Sequence, residues 1–158
     1  MRYFLDTEFI EYPSTIDLIS IGIVAEDGRE FYRENAGVDW SRANPWVLEN
    51  VKPHMEGNGV SRLAIKFEVL DFIGIDDKPE FWGYYADYDW VVFCWLFGPM
   101  IEKPKHFPMY CRDIKQWCDA LGNPKLPKQA TAEHNALADA RHNKVMWEFL
   151  ASSHPPKS

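Results

Sequence analysis

The sequence has 158 residues, of which 46% are hydrophobic and 26% charged, and its formal net charge is −7. This length suits one domain, and the apolar content is enough for a core, so broad disorder is excluded. No apolar run approaches the roughly 20 residues that span a bilayer, so we expect no membrane association. The first residues include acids at positions 6 and 8 and no continuous apolar stretch, which argues against a secretory signal.

The cysteines and the negative net charge exclude further classes of protein. Cys94, Cys111 and Cys118 form neither an even set nor a Cys-x-x-Cys pair, so a disulfide framework and a zinc ribbon are excluded. We expect buried thiols and a cytoplasmic location. Generic nucleic-acid binders carry a surplus of basic residues, which this chain lacks. Acids gathered in one pocket can nevertheless hold divalent cations, and these present positive charge to a phosphate.

The first third of the chain predicts an antiparallel meander of three strands. Residues 2–10 form the first strand. Residues 18–28 form a second, nearly all apolar strand that ends at the turn signal Asp27-Gly28. Residues 29–33 alternate between polar and apolar and fit the returning strand.

The rest of the chain predicts alternating strands and helices. One predicted helix begins at Asn44-Pro45. Further helices are predicted over residues 61–73, 90–97 and 114–121 and from His134 to about Leu150. Strands are predicted over residues 80–85 and 109–111. A meander followed by strand–helix units predicts an α/β fold with a mixed sheet flanked by helices. We expect a single domain over residues 1–151 and a flexible tail over residues 152–158.

Two acids stand in the middle of the first predicted strand. Asp6 and Glu8 are two residues apart, so their side chains point to the same face of the strand. Neighbouring carboxylates repel each other and are costly to bury. Mg²⁺ or Mn²⁺ removes this cost because these hard cations prefer carboxylate oxygens. The simpler interpretation is a strand edge whose acids face water.

Asp89 follows the predicted aromatic strand and stands at the start of a helix. An acid there stabilises the helix dipole, and this role is compatible with metal binding. Asp87 is the rival candidate. We expect Asp87 on the preceding loop and more exposed.

His134 and Asp139 begin the last predicted helix. Asp139 stands among alanines, whose small side chains let a helix approach the sheet closely. An acid on the apolar side of such a helix needs a partner. His134 alone reads as a surface or capping residue, and His54 and His142 have no acidic pattern around them.

The motifs DTEF, YADYDWVV and HNALAD stand in the order of the three motifs of the DEDDh exonucleases, a branch of the ribonuclease H-like superfamily. The chain resembles this family along nearly its whole length. Asn135 occupies the place where the related DEDDy branch has tyrosine, which favours the histidine form. A closer resemblance, to the ribonuclease AS group, is carried by DTEFIE, TIDLISIGIV, NPWV, GYYADYDW and HNALADA.

This resemblance implies a ribonuclease H-like fold and hydrolysis of phosphodiesters with two metal ions, Mg²⁺ or Mn²⁺. Asp6, Glu8 and Asp139 would ligate the first ion, Asp6 would bridge to the second, and Asp89 would support the second. His134 would take the proton from the attacking water, which a histidine can do near pH 7.

The same resemblance implies 3′-5′ exoribonuclease activity on single-stranded RNA ends, with release of nucleoside 5′-monophosphates and a preference for polyadenylate. The terminal nucleotide would lie against Thr7 and Phe9. Phe9 and Trp46 are candidates for stacking on bases, and Glu11 for accepting a hydrogen bond from an adenine amino group. Analogy with ribonuclease T makes a homodimer plausible, in which a basic patch of one subunit serves the other's pocket.

Three alternatives stay open at this point. The first is a DEDDh exonuclease directed at DNA, for proofreading or end-trimming. The second is a non-catalytic nucleic-acid-binding module that kept the fold, although all five chemical positions are filled. The third is a metal-dependent hydrolase of small nucleotides that leaves polymers intact.

Overall fold

The computed structural model describes residues 1–130 and 134–153. Within these residues the chain forms five strands and five α-helices, joined by loops and short 3-10 turns. The strands are β1 (Arg2–Tyr12), β2 (Thr15–Ala25), β3 (Glu30–Glu34), β4 (Glu80–Gly83) and β5 (Arg112–Asp113). The helices are α1 (Pro45–Asn50), α2 (Arg62–Ile73), α3 (Asp87–Trp95), α4 (Ile114–Ala120) and α5 (Ala136–Ser153).

The strands form one mixed sheet in the order β3-β2-β1-β4-β5. β1, β2 and β3 pair antiparallel, so the predicted meander is confirmed. β4 joins β1 in parallel, and β5 joins β4 in parallel. The predicted α/β fold with a mixed sheet flanked by helices is therefore confirmed as well.

The alternation of β1 side chains decides which helices cover which face of the sheet. Tyr3 and Leu5 are fully buried in the core that α2 and α3 help to form. Phe4 points to the opposite face, where it packs with Val24 of β2 and Ala140 of α5. Asp6 and Glu8 continue the register of Phe4. Both acids therefore emerge on the face that α5 covers.

Several helix boundaries follow the predicted signals. The Asn44 side chain accepts a hydrogen bond from the Val47 amide and caps α1, and the Ser61 side chain caps α2 through the Ala64 amide. α5 continues to Ser153, two residues into the segment predicted as a flexible tail. Residues 154–158 lie outside the described part of the chain. No helix within the described residues is long and apolar enough to cross a membrane.

α3 begins three residues earlier than predicted. The Ala86 amide donates to Asp113 Oδ2 at 2.8 Å, and the Ala86 carbonyl accepts from the Trp90 amide at 2.9 Å. The helix therefore starts at Asp87, and Asp87 lies in its first turn rather than on a loop. The expectation that Asp87 is more exposed than Asp89 is confirmed, because Asp89 is only 8% exposed while Asp87 is an exposed residue.

The predicted strand at 109–111 is wrong. Met109 and Tyr110 are exposed, and pairing with β4 starts only at Arg112, opposite Trp82. The buried Lys103 donates from Nζ to the carbonyl oxygens of Phe107 and Pro108, at 2.9 and 2.8 Å. These bonds hold the preceding segment in a turn, so the chain reaches the sheet later than its apolar residues indicate.

Candidate active site

Three acids from the two ends of the fold meet beside the sheet. Asp6 and Glu8 of β1 and Asp139 of α5 each offer a carboxylate oxygen, and these oxygens lie within 4.8 Å of one another. All three side chains are partly buried. The alternation that places Asp6 and Glu8 on one face of β1 is thus the first element of the site.

A glycine in β2 allows α5 to come this close. Gly22 pairs with Asp6 across the sheet. A Cβ atom on Gly22 would overlap with the backbone carbonyl of Ala136, in the first turn of α5. Ala136 and Ala140 are themselves fully buried. The small residues predicted to favour close packing therefore meet a glycine on the opposite strand, and Asp139 lies between them on the helix.

A buried asparagine fixes α5 along the strand. Asn143, one turn after Asp139, is only 3% exposed, and its Nδ2 donates to the backbone carbonyl of Leu5 at 3.0 Å. Leu5 directly precedes Asp6. This bond sets the position of Asp139 relative to Asp6, and it also satisfies a polar side chain that would be costly to bury alone.

Asp89 reaches the other side of β1 through Thr7. The pairing of β1 with β4 ends at Phe4, so the Thr7 amide has no partner on β4. Asp89 Oδ1 accepts from the Thr7 amide at 2.8 Å and from the Thr7 hydroxyl at 2.6 Å. Asp89 is thereby fixed against the residue that separates Asp6 from Glu8.

The electrostatics of the site show how crowded these carboxylates are. Burial, together with the charges of Asp89, Glu8 and Asp139, raises the pKa of Asp6 well above its usual value. Burial and the charges of Asp139 and Asp89 raise the pKa of Glu8 to about 8. Burial also raises the pKa of Asp89 to about 6, although the two hydrogen bonds from Thr7 act in the opposite direction. In each case burial is the largest cause, because it disfavours the charged carboxylate.

This donor set fits a divalent cation. It offers three carboxylate oxygens, the hard ligands that Mg²⁺ and Mn²⁺ prefer. Burial is the largest cause of the raised pKa values of Asp6 and Glu8, and the charges of the neighbouring acids raise them further. A cation among the acids would cancel this repulsion. The geometry and the charge balance therefore agree on a candidate metal site.

His134 lies at the mouth of this site. Its backbone has a φ of 66°, and its amide donates to Asp139 Oδ2 at 3.0 Å. Its ring meets the ring of Trp46 edge to face, with centroids 4.8 Å apart. Trp46 remains 51% exposed at the start of α1. The structure thus brings the predicted general base next to a predicted stacking residue.

A cleft of about 720 Å³ opens beside the acids. It is lined by Asp6, Tyr84, Leu126, Pro127, Lys128, Gln129, His134, Asp139, His142, Asn143 and Met146. The sequence reasoning missed several of these residues. His142, Asn143 and Met146 follow Asp139 at helical spacings of three, four and seven, and this periodicity was a signal that could have found them. No local pattern points to Tyr84 or Gln129.

The remaining predicted substrate residues differ in their surroundings. Phe9 is partly buried and stacks on Tyr88, with ring centroids 5.9 Å apart and planes 16° from parallel. Thr7 is buried, and its amide and hydroxyl already serve Asp89. Glu11 is exposed further along β1, outside both the acidic cluster and the cleft.

Comparison with known proteins gives the family. The domain family described as "3'-5' exoribonuclease Rv2179c-like domain" matches residues 1–151. The chain belongs to this family. Membership makes it an enzyme of the 3′-5′ exoribonuclease class, and the matched span includes all the acids of the cluster.

Two curated relatives support this family assignment, and one solved structure shares the fold. The 3′-5′ exoribonuclease Rv2179c of Mycobacterium tuberculosis strain ATCC 25618 / H37Rv is 40% identical over 159 residues, covering 97% of this chain and 95% of the relative. The 3′-5′ exoribonuclease MT2234.1 of strain CDC 1551 / Oshkosh matches equally well. A chain in the structure titled "Structure of yeast NOT1 MIF4G domain co-crystallized with CAF1" aligns with a TM-score of 0.52 at 12% identity. That alignment covers 96% of this chain and 79% of the other, and shows a shared fold alone.

Proposed function

We propose that this member of the exoribonuclease family removes nucleoside 5′-monophosphates from the 3′ ends of single-stranded RNA. The observation that carries the proposal is the meeting of Asp6, Glu8 and Asp139, whose oxygens lie within 4.8 Å of one another. A substrate phosphate would be repelled by these acids unless cations lay between them. The order of the acids and of His134 supports the DEDDh arrangement, with its ribonuclease H-like fold, and a place in the ribonuclease AS group.

Two divalent cations, Mg²⁺ or Mn²⁺, are the proposed cofactors. Asp6, Glu8 and Asp139 would hold one, and Asp6 together with Asp89 would hold the other. When bound, such a pair activates water and stabilises the attacking and leaving oxygens of an in-line displacement. Asp89 is prepared for this role because Thr7 fixes the direction of its carboxylate through Oδ1.

His134 is the proposed general base. The bond from its amide to Asp139 Oδ2 ties the position of the histidine to that of the acid. The ring of Trp46 limits where the imidazole can lie. His134 would accept the proton of the attacking water, a step for which a positioned histidine is well suited near neutral pH.

The 3′-terminal nucleotide is proposed to lie between the aromatic residues that border the acids. The exposed Trp46 and the stacked pair of Phe9 and Tyr88 offer flat surfaces for bases. Base stacking on such rings contributes about 1–3 kcal/mol per base. The Thr7 amide and hydroxyl already donate to Asp89, so a nucleotide that contacts either group would have to share that donor with Asp89. Glu11 remains the candidate partner of an adenine amino group, in line with a preference for polyadenylate.

A second copy of the chain is the proposed protein partner. Large apolar side chains stay exposed at the end of α3 and in the segment after it, among them Trp95, Met100 and Ile101, which are 42%, 68% and 88% exposed. Trp95 and Met100 also line one small pocket, and exposed apolar side chains that lie together are typical of an interface. Sedimentation of the purified chain at micromolar concentration tests this proposal, since a monomer would contradict it.

The central test uses end-labelled single-stranded RNA and the full chain. EDTA should abolish degradation, and Mg²⁺ or Mn²⁺ should restore it. Asp6→Ala and His134→Ala should each lose at least about 100-fold in rate. Asp71→Ala, which removes an exposed acid of α2, is the matched control and should keep the activity of the parent. Degradation that persists in EDTA, or in Asp6→Ala, would contradict the site.

The same assay separates the alternatives. DNA of the same sequence degraded faster than RNA would favour a DNA-directed exonuclease. Binding of RNA without degradation under any metal would favour a non-catalytic module. Hydrolysis of free nucleotides with intact polymers would favour a small-molecule hydrolase. Polyadenylate and polyuridylate of equal length test the base preference.

A further inference from the structure

An irregular segment between α4 and α5 forms one wall of the cleft. Four consecutive residues, Leu126 to Gln129, line it, although this part of the chain has no regular secondary structure. Gln129, a member of this wall, forms a hydrogen bond with one of the acids. Its Nε2 donates to Asp139 Oδ1 at 2.6 Å.

This bond helps to orient Asp139. Oδ2 of the same carboxylate accepts from the His134 amide at 3.0 Å. Each oxygen of Asp139 thus receives a hydrogen bond, and together the two bonds fix the rotation of the carboxylate about its side chain. A carboxylate oxygen has more than one acceptor site, so Oδ1 can receive the Gln129 amide and still serve a cation.

The type of residue matters as much as its position. A lysine or arginine beside Asp139 would form an ion pair and would compete with a divalent cation for the same charge. The carboxamide of Gln129 donates a hydrogen bond but brings no charge, so it orients the acid without neutralising it. Hydrogen-bond partners of metal-binding carboxylates commonly act in this way.

We propose that Gln129 is a positioning residue, which holds Asp139 in the orientation that binds a divalent cation and so makes the 126–129 segment a part of the metal site. This inference rests on the proposed function, because it concerns the cation that the acids would hold. The competing interpretation is that the Gln129 amide merely occupies the place of the cation. The two ideas predict opposite signs, since removing a competitor would strengthen metal binding.

The test measures Mn²⁺ binding to the full chain by titration calorimetry, without RNA. Gln129→Ala should weaken Mn²⁺ binding about 10–100-fold. Gln129→Met, which keeps the length of the side chain but loses the donor, should weaken it equally. Gln116→Ala is the matched control, because Gln116 is exposed on α4 and should bind Mn²⁺ like the parent.

A second readout separates positioning from a general structural role. RNA degradation by the Gln129 variants should need more Mn²⁺ but should recover most of the parental kcat at saturating Mn²⁺. Thermal unfolding of the metal-free variants should match that of the parent. Mn²⁺ binding that is unchanged or tighter in both Gln129 variants would overturn this inference but leave the proposed metal site intact. A parent chain that binds no Mn²⁺ would overturn the proposed metal site and this inference together.

Discussion

Thr7 donates two hydrogen bonds to a single oxygen of Asp89, from its amide at 2.8 Å and from its hydroxyl at 2.6 Å. Thr7 is 4% exposed and Asp89 8% exposed, so both groups are largely shielded from water. The bond pair joins the start of α3 to the middle of β1. The two bonds explain how Asp89, in the first turn of α3, lies close to the acids of β1.

Replacing Asp89 tests whether its charge or its hydrogen bonds matter. Asp89→Asn keeps an acceptor oxygen for Thr7, so the chain should fold with nearly unchanged stability. The loss of charge should lower the rate of RNA degradation roughly 100-fold, because Asp89 is the proposed ligand of a second cation. Asp87→Asn changes an exposed acid two residues earlier and should have little effect. A greater loss of kcat for Asp87→Asn would show that the wrong aspartate has been assigned.

Gly22→Ala should disrupt the site without touching a carboxylate. The new methyl group would overlap with the Ala136 carbonyl and force α5 away from the sheet. Overpacking of this kind costs about 1–3 kcal/mol, and urea unfolding would measure it. Mn²⁺ affinity should fall at the same time, because Asp139 moves with α5. Gly37→Ala is the control, since a Cβ there meets only the side chain of Asn35 at 3.3 Å. Equal stability and metal affinity in both variants would contradict the role of Gly22.

The stability of the metal-free chain should fall as the pH rises from about 5 to 8. Burial and neighbouring acids raise the pKa of Glu8 from its usual 4.5 to about 8. Between these values the unfolded chain gives up the proton that the folded chain keeps, so the free energy of unfolding decreases with pH. Each kcal/mol lost should lower Tm by about 2–4 °C in a chain of this size.

Mg²⁺ and a variant complete this test. Because a cation replaces the proton among the acids, the increase in Tm caused by Mg²⁺ should be larger at pH 8 than at pH 5. Glu8→Gln cannot ionise, so its metal-free Tm should depend less on pH. A metal-free parent whose Tm is flat over this range, or a variant whose Tm falls as steeply with pH as that of the parent, would contradict the raised pKa of Glu8.

Lys128 should contribute to RNA binding through a phosphate. It is an exposed cation on the wall of the cleft that Asp6 and Asp139 also line. Lys128→Ala should raise KM for RNA while kcat changes little, and should reduce the slope of log KM against log salt by about 0.7. Lys125→Ala removes an exposed lysine of the same segment that does not line the cleft, and should leave both quantities unchanged. If Lys128→Ala and Lys125→Ala change KM and the salt dependence equally, the lysines act only through the overall charge of the protein.

The sequence could predict what depends on short spacings. The two-residue spacing of Asp6 and Glu8 places them on one face of a strand, and the alanines around Asp139 indicate a helix close to the sheet. The meander and most helices follow from turn and capping signals in the same way. These features are local, so residues near each other in the chain determine them.

The sequence could not predict contacts that join distant segments. Gly22 matters because it faces Ala136, and Gln129 because it reaches Asp139, and neither meeting leaves a local pattern. The start of α3 at Asp87 depends on a bond from Ala86 to Asp113, 27 residues away. The late start of β5 depends on a turn closed by Lys103. Tertiary contacts overrode the local signal in each case.

The bond from Asn143 to the Leu5 carbonyl joins the first described element of the fold to the last. A ribosome makes β1 first, so a growing chain carries Asp6 and Glu8 for most of its synthesis without Asp139. We expect a nascent nuclease to be unable to cut RNA near the ribosome, the messenger that encodes it included. Competence should arise only when α5 has left the exit tunnel and docked on the sheet.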